Sequence, residues 1–140
     1  MTSLNFERVL VRGANWVGDA VMTLPALSAL AESFPGRLSV WSRAWSAPVY
    51  EASKLVVRVY REDDFQGLWS QVRILRREHF DLAVLFQNAF SAAVFPALAR
   101  IPERWGYARD GRGFLLTRAI RPAPLDRQTH EVFYYLNLLE

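Results

Sequence analysis

Between residues 9 and 34 the chain makes one move that restricts what it can fold into: strand, glycine-bracketed loop and helix in immediate succession. Val9-Leu10-Val11 is a continuous apolar run, the pattern of a strand buried on both faces of a parallel sheet. It sits in a first strand expected over residues 6–12. The loop that follows is bracketed by Gly13 and Gly18 and ends in a single carboxylate, Asp19. From Ala20 to Phe34 the apolar residues recur at helical spacing, with Leu27, Leu30, Ala31 and Phe34 on the core face and Pro35-Gly36 as the stop. Pro25 falls inside this helix and predicts a bend or a restart there.

The pattern then repeats along the chain. A second strand is expected at Leu38–Trp41, a short helix near Ala47–Ala52 and a third strand at Leu55–Tyr60. Asp64 is positioned to cap a helix from Phe65 to about His79, whose His79 suits the negative end of the helix dipole. Asp81–Phe86 reads as a fourth strand, Phe90–Ala99 as a helix and Arg104–Tyr107 as a fifth strand. Arg109–Gly113 is punctuated as a turn, Phe114–Ile120 reads as extended, residues 122–124 form a proline-rich linker, and a helix starts at Thr129. Alternation of this kind implies βαβ units: a Rossmann-like parallel sheet with helices on both faces. At 140 residues and 51% hydrophobic, the chain is large enough to bury a proper core.

Composition removes several classes. The absence of cysteine excludes disulfide frameworks and thiolate metal sites, and two histidines are too few for a histidine-rich metal centre. The N-terminus lacks the basic start and apolar core of a secretory signal, so a cytoplasmic location is expected. Asp81, Gln87, Asn88 and Pro96 interrupt the apolar stretch Phe80–Ala99, which is therefore not read as a membrane span. Six arginines lie between Arg100 and Arg121 against only Glu103 and Asp110. A guanidinium fork suits carboxylate and phosphate, so this segment can meet an anionic partner. The arginines are not set on a recognition helix and no nucleic-acid motif is present, so nucleic acid is not expected as a partner.

In an open α/β sheet, ligands bind beyond the carboxyl ends of the strands. Asp19 falls there, either as a helix N-cap or as a reacting group. Gln87 and Asn88 stand at the end of the fourth strand, and the second delivers Arg43, Trp45 and Pro48 to the same edge.

The run Val11-Arg12-Gly13-x-Asn15-Trp16-x-Gly18-Asp19-x-x-Met22-x-x-Pro25-Ala26-Leu27 resembles the N-terminal signature of the bacterial ADP-heptose:lipopolysaccharide heptosyltransferases, and its Asn-Trp resembles the heptosyltransferase II branch. Phe80-Asp81-Leu82-Ala83, Leu85-Phe86-Gln87-Asn88-x-Phe90, Gly106-Tyr107-x-Arg109-Asp110-Gly111-Arg112-Gly113 and His130-Glu131-Val132 follow in the family's order. The resemblance implies an inverting glycosyltransferase of GT-B architecture, with residues 1–122 as the acceptor-binding N-terminal domain. Residues 123–140 would be the linker and first helix leading toward a donor-binding domain, and the chain alone would be inactive.

The reaction implied is transfer of L-glycero-D-manno-heptose from ADP-heptose to heptosyl-Kdo2-lipid A, the inner-core acceptor of lipopolysaccharide, in peripheral contact with the cytoplasmic face of the inner membrane. ADP-heptose is then a co-substrate held mainly by the second domain, with neither cofactor nor metal. Asp19 maps onto the family's proposed catalytic base. Asn15, Trp16, Gly18, Arg43, Gln87, Asn88, Arg109, Asp110 and Arg112 are the expected acceptor contacts. One departure is that Ser91-Ala92-Ala93 follows Phe90 where the family usually carries an arginine. The alternatives are a related glycosyltransferase with another acceptor and a non-catalytic binding module of the same fold. The apolar segment Val132–Leu139 is also expected to be able to pair two copies of the chain.

Overall fold

The computed structural model describes residues 6–87, 90–107, 112–120 and 138–139. Its centre is a six-stranded sheet: β1 Val9–Arg12, β2 Leu38–Ser42, β3 Arg58–Arg61, β4 Leu82–Leu85, β5 Glu103–Tyr107 and β6 Arg118–Ile120. The strands run in the order β3-β2-β1-β4-β5-β6, and every neighbouring pair is parallel. The helices are α1 Val17–Ser33, α2 Ala47–Ser53, α3 Leu68–Arg77 and α4 Phe90–Leu98.

Side chains on a strand alternate between faces, and two cores follow from that rule. Val9 and Val11 of β1, with Leu82 and Val84 of β4, point into a core shared with Ala26, Leu27 and Leu30 of α1 and Tyr50 of α2. Leu10, Ala83 and Leu85 point the other way, onto Val72 and Leu75 of α3 and Ala93 of α4. The expected parallel sheet with helices on both faces is thus the observed one. β1 lies between β2 and β4 and is buried along its whole length.

Several expected boundaries move, each for a local reason. The helix expected to begin at Ala20 starts at Val17, so Asp19 is not its N-cap: Trp16 occupies that position and Asp19 lies in the first turn. Pro25 does not interrupt the helix. It is exposed, as is Val21 one turn earlier, so the Val21 carbonyl that loses its partner lies on the water side.

Asp64 caps nothing. Residues Glu62–Asp64 form a 3-10 turn, and α3 starts three residues later than expected, after Gly67 at φ +82°. Glu62 and Asp63 are engaged across the strand ends, as described below, which holds this segment out of the helix. His79 follows the C-cap Glu78 with φ +54°, the left-handed residue that terminates α3. Phe114 and Leu115, expected to be extended, belong to a second 3-10 turn, Arg112–Leu115. The linker at 122–124 and the start of the last helix lie outside the described residues. Leu138 does not: it is fully buried in the core beside β1, with Leu139 packed against it. At that point the apolar segment is covered by this chain itself; residues 132–137 lie outside the described residues.

Tyr50 fixes where the first loop leaves the sheet. Its hydroxyl accepts a hydrogen bond from Ala14 N–H at 3.0 Å and lies 2.9 Å from Thr23 Oγ1, which donates to the Ala20 carbonyl at 2.6 Å. A Cβ built on Gly13 would sit 2.7 Å from the Tyr50 ring. Glycine is therefore required there by close approach. Gly13→Ala should cost roughly 1–3 kcal/mol, the range for overpacking a core, and Tyr50→Phe a similar amount through the stranded Ala14 donor. Urea denaturation reads both.

Burial also raises the Tyr50 pKa above the ordinary 10.0. A raised folded pKa contributes stability that is complete below the unfolded value and is lost as pH climbs through the folded one. Stability should therefore fall above pH 10, and Tyr50→Phe should reduce that slope. Tyr60, raised for the same reason, leaves a residual slope.

Candidate functional site

The strand order reverses direction between β1 and β4, which is where an open α/β sheet leaves a crevice at its carboxyl edge. Arg12 pairs with Leu85 in register, and the Phe86 N–H donates to the Arg12 carbonyl at 3.0 Å. Gln87 follows at the mouth of this crevice, half-buried and with a partner of its own. Across from it the β1–α1 loop presents Asn15 and Trp16, and the first turn of α1 presents Gly18 and Asp19. The fold therefore brings Gln87 and the first loop to one edge.

Asp19 is partly exposed in the first turn of α1, and among the described residues it makes no hydrogen bond or ion pair. A carboxylate there is favoured by the helix dipole. Gly18 is exposed with ordinary φ, and a Cβ at its position would meet nothing within 4 Å. Unlike Gly13, it is not demanded by packing. What its missing side chain provides is open space beside Asp19.

A charged hub lies under this rim. Arg12, at the carboxyl end of β1, is only 7% exposed. Its Nη1 donates to the carbonyls of Gly13 at 3.1 Å and Trp41 at 3.3 Å, and its Nη2 donates to Asn15 Oδ1 at 3.1 Å. Nη2 also lies 3.5 Å from Glu62 Oε1. Burial pushes the Arg12 pKa down, and the Glu62 carboxylate opposes it. Glu62 further accepts from Trp41 Nε1 at 3.3 Å and holds Arg43 Nε at 2.8 Å from Oε2. Its neighbour Asp63 accepts the Ala44 N–H at 3.1 Å. The three βα connections after β1, β2 and β3 are thus tied together.

Arg43 lies 5.4 Å from the Trp45 ring centroid, Trp45 Nε1 donates to the Asn15 carbonyl, and Trp45 stacks with Trp16 at 6.2 Å. The expected neighbours Asn15, Trp16, Arg43 and Trp45 therefore meet in one cluster. Arg12 and Glu62 were missed as parts of it. A signal existed: an arginine inside an apolar strand must find a partner if it is buried.

The basic segment is less uniform than its charge count suggests. Arg104 Nε donates to the Leu115 carbonyl at 2.6 Å and its Nη1 to the Ile101 carbonyl at 2.7 Å, so it braces the turn before β6. Arg118 packs 5.1 Å from the Trp105 ring. Asn88, Arg109 and Asp110 lie outside the described residues. Arg112 opens the 3-10 turn that precedes β6. Among the described residues, no helix is long and apolar enough to cross a membrane.

The profile of glycosyltransferase family 9 (heptosyltransferase) matches residues 68–140. Lipooligosaccharide heptosyltransferase 2 of Haemophilus ducreyi is 29% identical over 115 residues, 78% of this chain and 33% of the relative. Lipopolysaccharide heptosyltransferase 2 of Escherichia coli is 28% identical over 116 residues, again 78% of this chain and 33% of the relative. The chain thus spans about a third of the length of these curated relatives. Among solved structures, the E. coli ADP-heptose lps heptosyltransferase II superposes with a TM-score of 0.80 at 26% identity, covering 95% of this chain and 40% of that one. E. coli heptosyltransferase WaaC, solved with ADP-2-deoxy-2-fluoro heptose, shares the fold with a TM-score of 0.72 at 21% identity, over 94% of this chain and 46% of that one.

The hub makes a stability prediction. Glu62→Gln leaves the buried Arg12 guanidinium without its carboxylate and should lower the unfolding free energy by about 3 kcal/mol, as for one partner removed from a buried pair. An unchanged urea midpoint would show that Arg12 does not depend on Glu62.

Proposed function

This chain belongs to glycosyltransferase family 9, and on that premise we propose that it forms the acceptor-binding domain of an inverting heptosyltransferase. The observation that carries the reading is Asp19: a carboxylate without a partner among the described residues, at the carboxyl edge of the central strand, beside an open glycine. The transfer is from ADP-heptose to heptosyl-Kdo2-lipid A, with ADP-heptose as co-substrate and neither cofactor nor metal. Residues 1–122 make the acceptor domain, and residues 123–140 lead toward the part that holds the donor. The protein works from the cytoplasmic side of the inner membrane, in peripheral contact with it.

The chemistry assigned to Asp19 is general base catalysis. Its carboxylate takes the proton of the acceptor hydroxyl as that oxygen bonds to the anomeric carbon; the bond from that carbon to the ADP oxygen breaks on the opposite face, inverting the centre. Because Asp19 rides on a helix anchored through Thr23 and Ala20 to Tyr50, its contribution includes holding the hydroxyl in line. Asn15, Trp16, Gly18, Arg43, Gln87, Asn88, Arg109, Asp110 and Arg112 are the proposed acceptor contacts, with the arginines facing the acceptor's carboxylates and phosphates.

Asp19→Asn in the complete gene product should lower kcat for heptose transfer by about 10²–10⁴-fold, the usual contribution of a general base, with the acceptor KM little changed. Unaltered turnover would remove Asp19 from the chemistry. Gly18→Ala separates fold from function. It should leave stability equal or up to about 1 kcal/mol higher, since glycine is the weaker helix former, while raising the acceptor KM. A variant with wild-type KM would show that the open space is not used.

A further inference from the structure

Two tryptophans stand in water at the corner where Asp19 lies. Trp16 is 67% exposed and Trp45 is 48% exposed, and their rings stack with an interplanar angle of 26°. Tryptophan is ordinarily among the more buried residues, and a concentrated apolar patch on a polar rim marks a binding surface. The pair is held in place by the protein. Trp45 gives its one N–H to the Asn15 carbonyl, so what the indole still offers is π surface rather than a donor. Arg43 is pinned through Nε to Glu62 and lies against the Trp45 ring. Among the described residues its two terminal nitrogens make no hydrogen bond or ion pair.

We propose that Trp16, Trp45 and Arg43 form a subsite for an anionic pyranose, whose apolar C–H face stacks on the Trp16 indole, backed by Trp45, while its carboxylate or phosphate meets the terminal nitrogens of Arg43. This rests on the acceptor-site reading above and specifies which part of the acceptor is seized. A pyranose has polar edges and an apolar face whose C–H groups carry partial positive charge, the complement of the electron-rich indole face. Stacking fixes the tilt of the ring, and the guanidinium fork fixes its rotation. Trp16 is the N-cap of the helix that carries Asp19 in its first turn. A ring seated on Trp16 is therefore held at the start of the helix whose first turn carries that carboxylate. The subsite acts on acceptor binding and orientation, not on departure of ADP.

The test is calorimetric titration of the chain with the heptosyl-Kdo2 oligosaccharide freed of its lipid, and with its carboxyl-reduced counterpart. Both tryptophans are exposed, so replacements should fold, and the urea midpoint checks this. Trp16→Leu should weaken binding at least about tenfold, while Trp16→Phe, which keeps a π face, should stay within about threefold. Carboxyl reduction should weaken binding to the parent about tenfold and leave binding to Arg43→Gln unchanged, as for two halves of one contact. If phosphate is the anion, carboxyl reduction changes nothing, and an oligosaccharide that keeps its glucosamine phosphates binds the parent, but not Arg43→Gln, about tenfold more tightly than the same oligosaccharide after phosphatase treatment. Equal affinity for the parent and Trp16→Leu overturns the subsite, as does a parent that binds no oligosaccharide. Turnover separates the two readings: heptose transfer by a protein whose Trp16→Leu variant binds normally leaves the enzyme standing without the platform. Trp16-dependent binding in a protein that transfers no heptose does the reverse.

Discussion

The packing of Tyr50 against Gly13 is the contact on which the geometry of this edge depends. The phenol occupies the space that any side chain at position 13 would need, and its hydroxyl takes the Ala14 N–H just as the chain leaves β1. The same hydroxyl reaches Thr23 on α1. One buried side chain from α2 thereby sets the exit angle of the first loop and the seat of the first helix. Asp19 inherits its position from both. The polar network is satisfied at each step, Ala14 to Tyr50 to Thr23 to Ala20, which is the condition under which a buried polar group specifies a structure rather than weakening it.

A second layer of constraint sits above that contact. Glu62 gathers Arg12, Arg43 and Trp41, so the ends of three adjacent strands cannot move independently. Two guanidiniums gather on one carboxylate, and the exposed indoles lie beside Arg43. The result is an edge with a rigid floor and an adaptable surface: a carboxylate without a partner among the described residues, an open glycine, two aromatic faces and an arginine fork. Those are the group types that hold a glycan and remove a proton from one of its hydroxyls.

Much of the fold was legible because parallel strands announce themselves. Val9–Val11 and Leu82–Phe86 are apolar without alternation, which only a strand covered on both sides explains, and helical periods separate them. The errors came where tertiary contacts override local preference. Asp64 has the residue type of a cap, yet the segment before it is held by Glu62 and Asp63, and the helix waits for Gly67. Pro25 has the residue type of a breaker, yet it lies on a solvent face, where the carbonyl it leaves unpaired is turned toward water. Arg104 has the charge of an anion ligand, yet carbonyls at 101 and 115 take its donors. The role given to Asp19 came from resemblance. What the structure adds is its place at the β1 edge and its lack of a protein partner among the described residues. That Arg12 needed a partner was legible, but not which one: Arg12 and Glu62 are fifty residues apart in sequence and meet only once β1, β2 and β3 are aligned.

Whether the β1 carboxyl edge is the acceptor site can be read by mapping amide chemical shifts while the delipidated heptosyl-Kdo2 oligosaccharide is titrated into the protein. Perturbations should concentrate at residues 15–19 and 43–46 and at Gln87. Shifts confined to the opposite edge, around Arg37, Asp81 and Pro102, or no shifts at all, would contradict that assignment.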